Sequence, residues 1–128
     1  MVAEGVQTVE RYIALVLNGM EPDAAAALIA HAVLRRRASA LRAAFPDLAV
    51  TTALLIADES WVAVHLTGRG THTGIFQGVP PTGRSWAAGC NAIYRVQAGR
   101  IVESWEMWDL LGILEQLGGV RRAATASA

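Results

Sequence analysis

Several features that mark other classes of protein are scarce or missing in this chain of 128 residues. Cys90 is its one cysteine, which excludes an intrachain disulfide, and no Cys/His cluster has the spacing of a zinc site. Lysine is absent, and the eleven basic residues, all arginine, are balanced by eleven acidic ones. A formal net charge of zero provides no field that attracts polyanions. We therefore expect no nucleic acid and no membrane as partners.

Long hydrophobic runs are also missing. The longest one, AAAALIA at 24–30, is far shorter than the roughly 20 residues that span a bilayer. The opening MVAEGVQTVER has acidic residues where a signal peptide has basic ones, so we expect a cytoplasmic protein. Apolar residues nevertheless make up 53% of the chain, enough for the core of one domain. We assign this domain to 1–119 and expect 120–128 to be a flexible tail.

The spacing of apolar residues changes midway along the chain. Helical spacing comes first, over 6–17, again from about Pro22, and over 34–45. Stretches rich in β-branched and aromatic residues follow at 48–57, 60–73, 85–97 and 100–107, and 109–118 returns to helical spacing. This order predicts an α+β fold in which N-terminal helices pack on a strongly curved, antiparallel-rich sheet and a short helix closes the chain. The concave side of such a sheet is a common site for small ligands.

The main candidate for chemistry is Glu106, in the stretch RIVESWEMWDLLG at 100–112. Strand alternation separates one face, with Val102, Ser104 and Glu106, from another, with Ile101, Glu103, Trp105 and Met107. The second face is more apolar, and if it is the core face, Glu106 is solvated. If that face is instead an exposed dimer interface, Glu106 faces an apolar cavity. The pattern alone leaves both alternatives open.

Other residues have a structural and a functional interpretation. No pair of the three histidines, His31, His65 and His72, has the spacing of a helical metal site, so no metal is predicted. Cys90 is expected to be a small buried residue without reactivity. The aromatic residues are either core or the walls of a pocket for a flat aromatic ligand: Trp61, Trp86 and Tyr94.

The stretch 70–118 resembles the SnoaL-like polyketide cyclase family of the NTF2-like superfamily. The resemblance lies in GTHTG, the GVPPTGR loop at 78–84, the hairpin with IYR and GRIVE, the strand end WEMWD, and the helix LLGILEQLG. AFPDLAV at 44–50 is also similar to the family's approach to its first long strand. A family member would have a cone-shaped α+β barrel with a hydrophobic pocket and no metal or organic cofactor.

The resemblance also implies an activity. The best-known members close the last ring of an aromatic polyketide by intramolecular aldol condensation, and the acid at the strand end acts as general acid/base. That acid corresponds to Glu106, which the resemblance therefore places inside the pocket. Substrate-binding residues are expected at Ser104, His72, Trp86, Tyr94, Trp61, Asn91 and Trp108.

The chain departs from the cyclase pattern near this acid. The acid is Glu106 where cyclases have Asp, and Ser104 stands where they have a histidine two residues earlier. A polar partner that some cyclases have on the neighbouring strand corresponds to Ala92, or to Asn91 if the register slips by one residue. The loop between His31 and Leu34 is also shorter than usual, which predicts a wider pocket mouth.

Three functions stay open at this point. The first is a cofactor-independent cyclase or isomerase that acts on a hydrophobic, polycyclic aromatic polyketide, with Glu106 as general acid/base. The second is a cofactor-less hydroxylase of an aromatic polyketide pathway. The third is a binding module for a hydrophobic small molecule without enzymatic activity. In each case we expect a homodimer that forms through the convex face of the sheet.

Overall fold

The computed structural model describes residues 2–19, 21–121 and 123. Its elements are α1 (Val2–Arg11), a π-helical segment (Tyr12–Leu17), α2 (Pro22–Leu28), α3 (Ala32–Ala44), β1 (Ala49–Asp58), β2 (Trp61–Thr71), β3 (Ser85–Gln97), β4 (Arg100–Trp108) and α4 (Leu110–Leu117). The predicted α+β order of helices, meander and closing helix is confirmed. Of the expected tail, residues 122 and 124–128 lie outside the described residues.

The strands form one antiparallel sheet in the order β1-β2-β3-β4. Within the described residues this sheet is not closed into a barrel, so β1 and β4 are its edges. A single bridge between Ile29 and Ile101 covers one end of the β4 edge. The turn Ala98–Gly99 joins β3 to β4 with positive φ angles of 51° and 71°, as the tightest hairpins require.

A β-bulge in β4 changes the faces that strict alternation predicts. The register between β3 and β4 skips Val102, which is the extra residue of the bulge. Ile101 is therefore fully buried, whereas Trp105 and Met107 lie on the outer face with 48% and 73% of their surface exposed. The predicted grouping of Ile101 with Glu103, Trp105 and Met107 is wrong for Ile101, because the extra residue shifts the alternation by one.

The helices cover the inner face of the sheet. The π-helical segment continues directly from α1 and buries Tyr12, Ile13, Val16 and Leu17. Its last bond runs from the Asn18 N–H to the Ile13 carbonyl over five residues, at 2.9 Å. π-helical turns are rare and occur often at functional sites. Here the segment begins at Tyr12 and directs its side chain into the core.

Glycine on β2 makes room for an indole ring at the end of β4. A Cβ added at Gly68 would lie 2.7 Å from Cη2 and Cζ3 of Trp108, far inside van der Waals contact. The Trp108 ring in turn meets Trp86 edge to face, with centroids 6.1 Å apart and an interplanar angle of 88°. Gly68 therefore determines where Trp108 packs, two residues after Glu106.

We expect Gly68→Ala to lower the free energy of unfolding by about 1–3 kcal/mol, because the added methyl group displaces the Trp108 ring. Chemical denaturation followed by tryptophan fluorescence measures this cost. In a Trp108→Phe background the clashing ring atoms are gone, and the same glycine substitution should cost clearly less. An equal cost in both backgrounds would contradict the close packing of Trp108 on Gly68.

Candidate active site

The carboxylate of Glu106 accepts hydrogen bonds from two buried tyrosines. Tyr12 Oη donates to Glu106 Oε2 at 2.5 Å, and Tyr94 Oη donates to the same oxygen at 2.6 Å. Both tyrosine side chains are fully buried, and their rings meet edge to face at 5.5 Å. Glu106 therefore faces the inner side of the sheet, and the alternative of a solvated acid on an outer face is wrong.

The three side chains come from three different elements. Tyr12 begins the π-helical segment, Tyr94 lies on β3, and Glu106 lies on β4 directly opposite Ala92. The pairing with Ala92 means that the register does not slip to Asn91. Because both phenols bind Oε2, that oxygen is held in place. No donor among the described residues reaches Oε1, which is therefore the oxygen that can meet a ligand.

Burial changes the ionisation of the groups around the carboxylate. It raises the pKa of Tyr12 and of Tyr94 well above the usual value of a tyrosine, and the negative charge of Glu106 and its hydrogen bonds raise both further. Both phenols thus stay protonated and remain donors at neutral pH. Burial, followed by the charge of Glu106, also raises the pKa of the Cys90 thiol to about 12. Cys90 is buried, and its thiol stays protonated at neutral pH, as predicted.

Glu106 borders an open groove of about 450 Å³ between β4 and the first two turns of α3. The groove wraps over the free edge of β4, so residues from both faces of this strand line it. Its other lining residues are His31, Val33, Arg37, Val102, Glu103, Ser104, Trp105 and Met107. A half-buried acid beside an accessible groove with apolar and polar walls is an arrangement suited to small-molecule chemistry.

The structure brings His31 to Ser104 in this groove. His31 precedes α3, and its Nδ1 accepts a hydrogen bond from the Leu34 N–H at 3.4 Å. Its Nε2 lies 3.1 Å from the hydroxyl oxygen of Ser104, which is on the same face of β4 as Glu106. The sequence left the role of His31 open, because the partner lies 73 residues further along the chain.

The other predicted aromatic and histidine residues lie further from Glu106. His72 is fully buried where β2 ends, and its Nδ1 accepts from the Thr82 N–H at 3.2 Å. Trp86 borders a second cavity of about 600 Å³, which does not include Glu106. Trp108 lies on the inner face beyond Glu106. Among the described residues, His72 Nε2 and the Nε1 atoms of Trp86 and Trp108 are buried without a hydrogen-bond partner.

Two predicted site residues lie on the outer face of the sheet, opposite to Glu106. Trp61 is 43% exposed and stacks on Trp105 with ring centroids 6.0 Å apart. Asn91 is exposed, and its Oδ1 lies 2.7 Å from Nδ1 of His65. The period of two residues in a strand explains both positions, since Asn91 and Ala92 must face opposite sides. The structure does not bring Trp61 or Asn91 together with the acid.

Sequence reasoning missed Tyr12. It lies within the helical stretch 6–17, where an aromatic residue is most simply interpreted as core. Its partner Glu106 is 94 residues away, and no local pattern connects the two. The one available signal is that the chain has only two tyrosines, Tyr12 and Tyr94.

The described residues show neither a metal-binding cluster nor a membrane-spanning helix. In the parts of the chain that the structure describes, no three His, Cys, Asp or Glu side chains come together as a metal site. No described helix is long and apolar enough to cross a membrane.

Comparison with known proteins connects this geometry to a family. The family model of the SnoaL-like polyketide cyclases matches residues 5–117. Among curated proteins, no sequence match was found. IdmH from Streptomyces antibioticus, a candidate polyketide cyclase, is 28% identical with a TM-score of 0.74, and the match covers 89% of this chain and 98% of IdmH.

Two solved structures with lower identity share the fold. AclR from Streptomyces galilaeus, a candidate hydroxylase, has a TM-score of 0.82 at 23% identity, over 94% of this chain and all of AclR. A candidate SnoaL-like polyketide cyclase from Jannaschia sp. CCS1 has a TM-score of 0.79 at 19% identity, over 94% of this chain and 95% of its own. The expected NTF2-like fold is thus confirmed.

Both tyrosines of the chain lie in the site, so any tyrosinate absorbance reports on it. We expect no tyrosinate in the folded protein at pH values just above 10, whereas both phenols ionise near pH 10 in denaturant. In this range the unfolded chain binds fewer protons than the folded one. The free energy of unfolding should therefore fall as pH rises, by up to about 1.4 kcal/mol per pH unit for each tyrosine.

Absorbance at alkaline pH, together with circular dichroism to verify folding, measures this behaviour. Tyr94→Phe should remove one of the two ionising groups and make the loss of stability with pH less steep. Tyrosinate that appears near pH 10 in a protein with native circular dichroism would contradict the buried pair.

Proposed function

Because the chain belongs to the SnoaL-like polyketide cyclase family, we propose that it is a cofactor-independent cyclase or isomerase that acts on a polycyclic aromatic polyketide. Glu106 is its general acid/base, and the reaction is an aldol-type ring closure. The observation that carries the proposal is the carboxylate that Tyr12 and Tyr94 hold at the border of an open groove. Similarity to IdmH, a candidate polyketide cyclase, supports the same assignment.

The proposed reaction is balanced in protons. Glu106 Oε1 takes a proton from a carbon next to a carbonyl group, and the resulting enolate carbon attacks a second carbonyl carbon of the same molecule. A carbon–carbon bond forms, and the new alkoxide takes the proton back from Glu106. Substrate and product therefore have the same mass. The groove orients the two reacting carbons, and such orientation can supply about 7–11 kcal/mol of a reaction barrier.

We propose different roles for the residues around the acid. Tyr94 and Tyr12 position the carboxylate, and Ser104 contacts the substrate in the groove. Trp108 and Trp86 pack behind the acid and fix the end of β4, while His72 anchors the loop with Thr82. We assign no part in the reaction to Trp61 or Asn91, because both lie on the outer face.

A hydroxylase is the second candidate. The fold is shared with AclR, which is a candidate hydroxylase, and the surroundings of Glu106 differ from the cyclase pattern at Ser104 and Ala92. In a hydroxylation, one atom of molecular oxygen enters a C–H bond. The other leaves as water with two electrons and two protons that the hydroquinone form of the substrate supplies. The quinone product is therefore heavier by one oxygen atom than the quinone form of the substrate. A pocket that only binds a hydrophobic molecule forms no product.

We also propose that the chain forms a homodimer through the outer face of the sheet. Large apolar side chains lie exposed together there: Leu54, Ile56, Trp61, Ile93, Trp105 and Met107. A continuous apolar patch on one side of an antiparallel sheet is typical of an interface. The formal net charge of zero means that two copies do not repel each other.

Glu106→Gln should lower turnover by about 100-fold or more, because the amide cannot take the proton. The matched control is Glu10→Gln, an exposed residue of α1 that does not line the groove and should be dispensable for turnover. The measurement is mass spectrometry of a tricyclic anthraquinone methyl ester incubated with the protein in air. Normal turnover by Glu106→Gln would exclude the acid/base role.

The mass of the product distinguishes the three functions. A new species of unchanged mass indicates ring closure or isomerisation. When the ester is first reduced to its hydroquinone, a species one oxygen atom heavier than the quinone, which does not form without oxygen, indicates the hydroxylase. Quenching of tryptophan fluorescence without any new species indicates the binding module.

The homodimer predicts a solution mass of twice the chain mass, measured by light scattering after size-exclusion chromatography. Ile93→Glu places a charge in the middle of the apolar patch and should shift the protein to the single-chain mass. The matched control is Ile75→Glu, the same substitution at an exposed isoleucine in the loop that joins β2 to β3. Because Ile75 lies outside the apolar patch, this variant should leave the dimer intact. A wild-type chain of single mass would rule the dimer out.

A further inference from the structure

The groove contains a second polar group besides Glu106, the hydroxyl of Ser104, and His31 determines what this hydroxyl can do. Nδ1 of His31 accepts the Leu34 N–H at the start of α3, so in the neutral ring the proton lies on Nε2. Nε2–H therefore donates to the Ser104 hydroxyl oxygen, at 3.1 Å. The position of His31 at the start of α3 thus determines that Nε2 carries the proton and orients the imidazole ring toward β4.

This arrangement makes Ser104 a donor toward the groove. Its oxygen already accepts from His31, and no acceptor for its own O–H is present among the described residues. A hydroxyl that accepts a hydrogen bond is polarised and becomes a stronger donor in turn. Ser104 lines the groove and is half-buried, so this donor is accessible to a ligand.

Ser104 and Glu106 are two residues apart on one face of β4, a distance of roughly 7 Å along the strand. The Ser104 hydroxyl is a hydrogen-bond donor, and Glu106 presents a carboxylate oxygen, Oε1, that accepts no hydrogen bond from the described residues. An enolisable ketone has the complementary pair, a carbonyl oxygen that accepts and, on the next carbon, an acidic hydrogen. Such a ketone can lie between the two side chains, with its oxygen at hydrogen-bond distance from Ser104 and its acidic carbon close to Glu106.

We propose that Ser104 and His31 form a carbonyl-binding site beside Glu106, which recognises the ketone oxygen of a flat aromatic ligand. Ser104 contacts the oxygen, and His31 is a positioning residue that acts through Ser104. The catalytic use of the site depends on the proposed cyclase function, because stabilising the oxygen favours the enolate that Glu106 generates. Ketone recognition itself does not require turnover.

Binding of two probes tests the site without a reaction. Anthraquinone-2-carboxylate and anthracene-2-carboxylate share three fused rings and the carboxylate, and differ at two ring positions, which are ketones in the first and C–H groups in the second. Quenching of tryptophan fluorescence measures both affinities. We expect the wild-type protein to bind the anthraquinone about fivefold more tightly or better, the usual contribution of one hydrogen bond. Ser104→Ala should reduce this preference to less than twofold and leave the affinity for the anthracene unchanged.

His31→Asn tests the positioning role without removing the helix cap, since Asn is also a preferred N-cap residue. This variant should lose the same ketone preference as Ser104→Ala, and in the double variant no further loss is expected. The matched control is Ser39→Ala, an exposed serine later in α3, which should keep the full preference. Additive losses in the double variant would overturn the action of His31 through Ser104.

The two proposals fail in distinguishable ways. A wild-type protein without ketone preference, or a preference that Ser104→Ala retains, overturns the carbonyl site even if Glu106-dependent ring closure is observed. A preference that depends on Ser104 and His31 supports the site even if the wild-type protein forms no product, an outcome that contradicts the cyclase.

Discussion

The pair of hydrogen bonds from Tyr12 and Tyr94 to Glu106 is the interaction on which the rest of the site depends. Each phenol is fully buried and would lose the free energy of an unmade hydrogen bond without an acceptor. The carboxylate likewise needs donors on its buried side. Because the three groups come from the π-helical segment, β3 and β4, this interaction joins the first helical region to the last strand. It also leaves Oε1 without a hydrogen-bond donor among the described residues, on a side chain that borders the groove.

Two irregularities of the backbone are associated with this geometry. The bulge at Val102 shifts the alternation of β4, so that both Ile101 and the face with Ser104 and Glu106 are directed inward. The π-helical turn begins at Tyr12 and carries its hydroxyl to the same carboxylate oxygen. Regular elements would present other side chains at these positions. Departures from regular structure next to functional groups are a recurrent property of enzymes.

Periodicity and turn chemistry predicted the fold of this chain well. The helices, the four strands and the closing helix follow from spacings of 3.6 and 2 residues. Periodicity could not predict the bulge, since one extra residue leaves no mark in composition. Tyr12 and His31 act on partners 94 and 73 residues away, and such long-range contacts are absent from any local pattern. Trp61 was predicted as a pocket residue because it is aromatic. Residue type does not determine on which face of the sheet a side chain lies.

The position of the site on an edge strand links the groove to the outer face. Trp105 and Met107 line the groove and also belong to the apolar patch proposed as a dimer interface. They alternate along β4 with Ser104 and Glu106. If a second copy packs on this patch, it holds the strand that carries the acid and restricts the two apolar side chains that form the groove wall. Dimer formation and ligand binding would then stabilise each other, because each orders the same segment of β4.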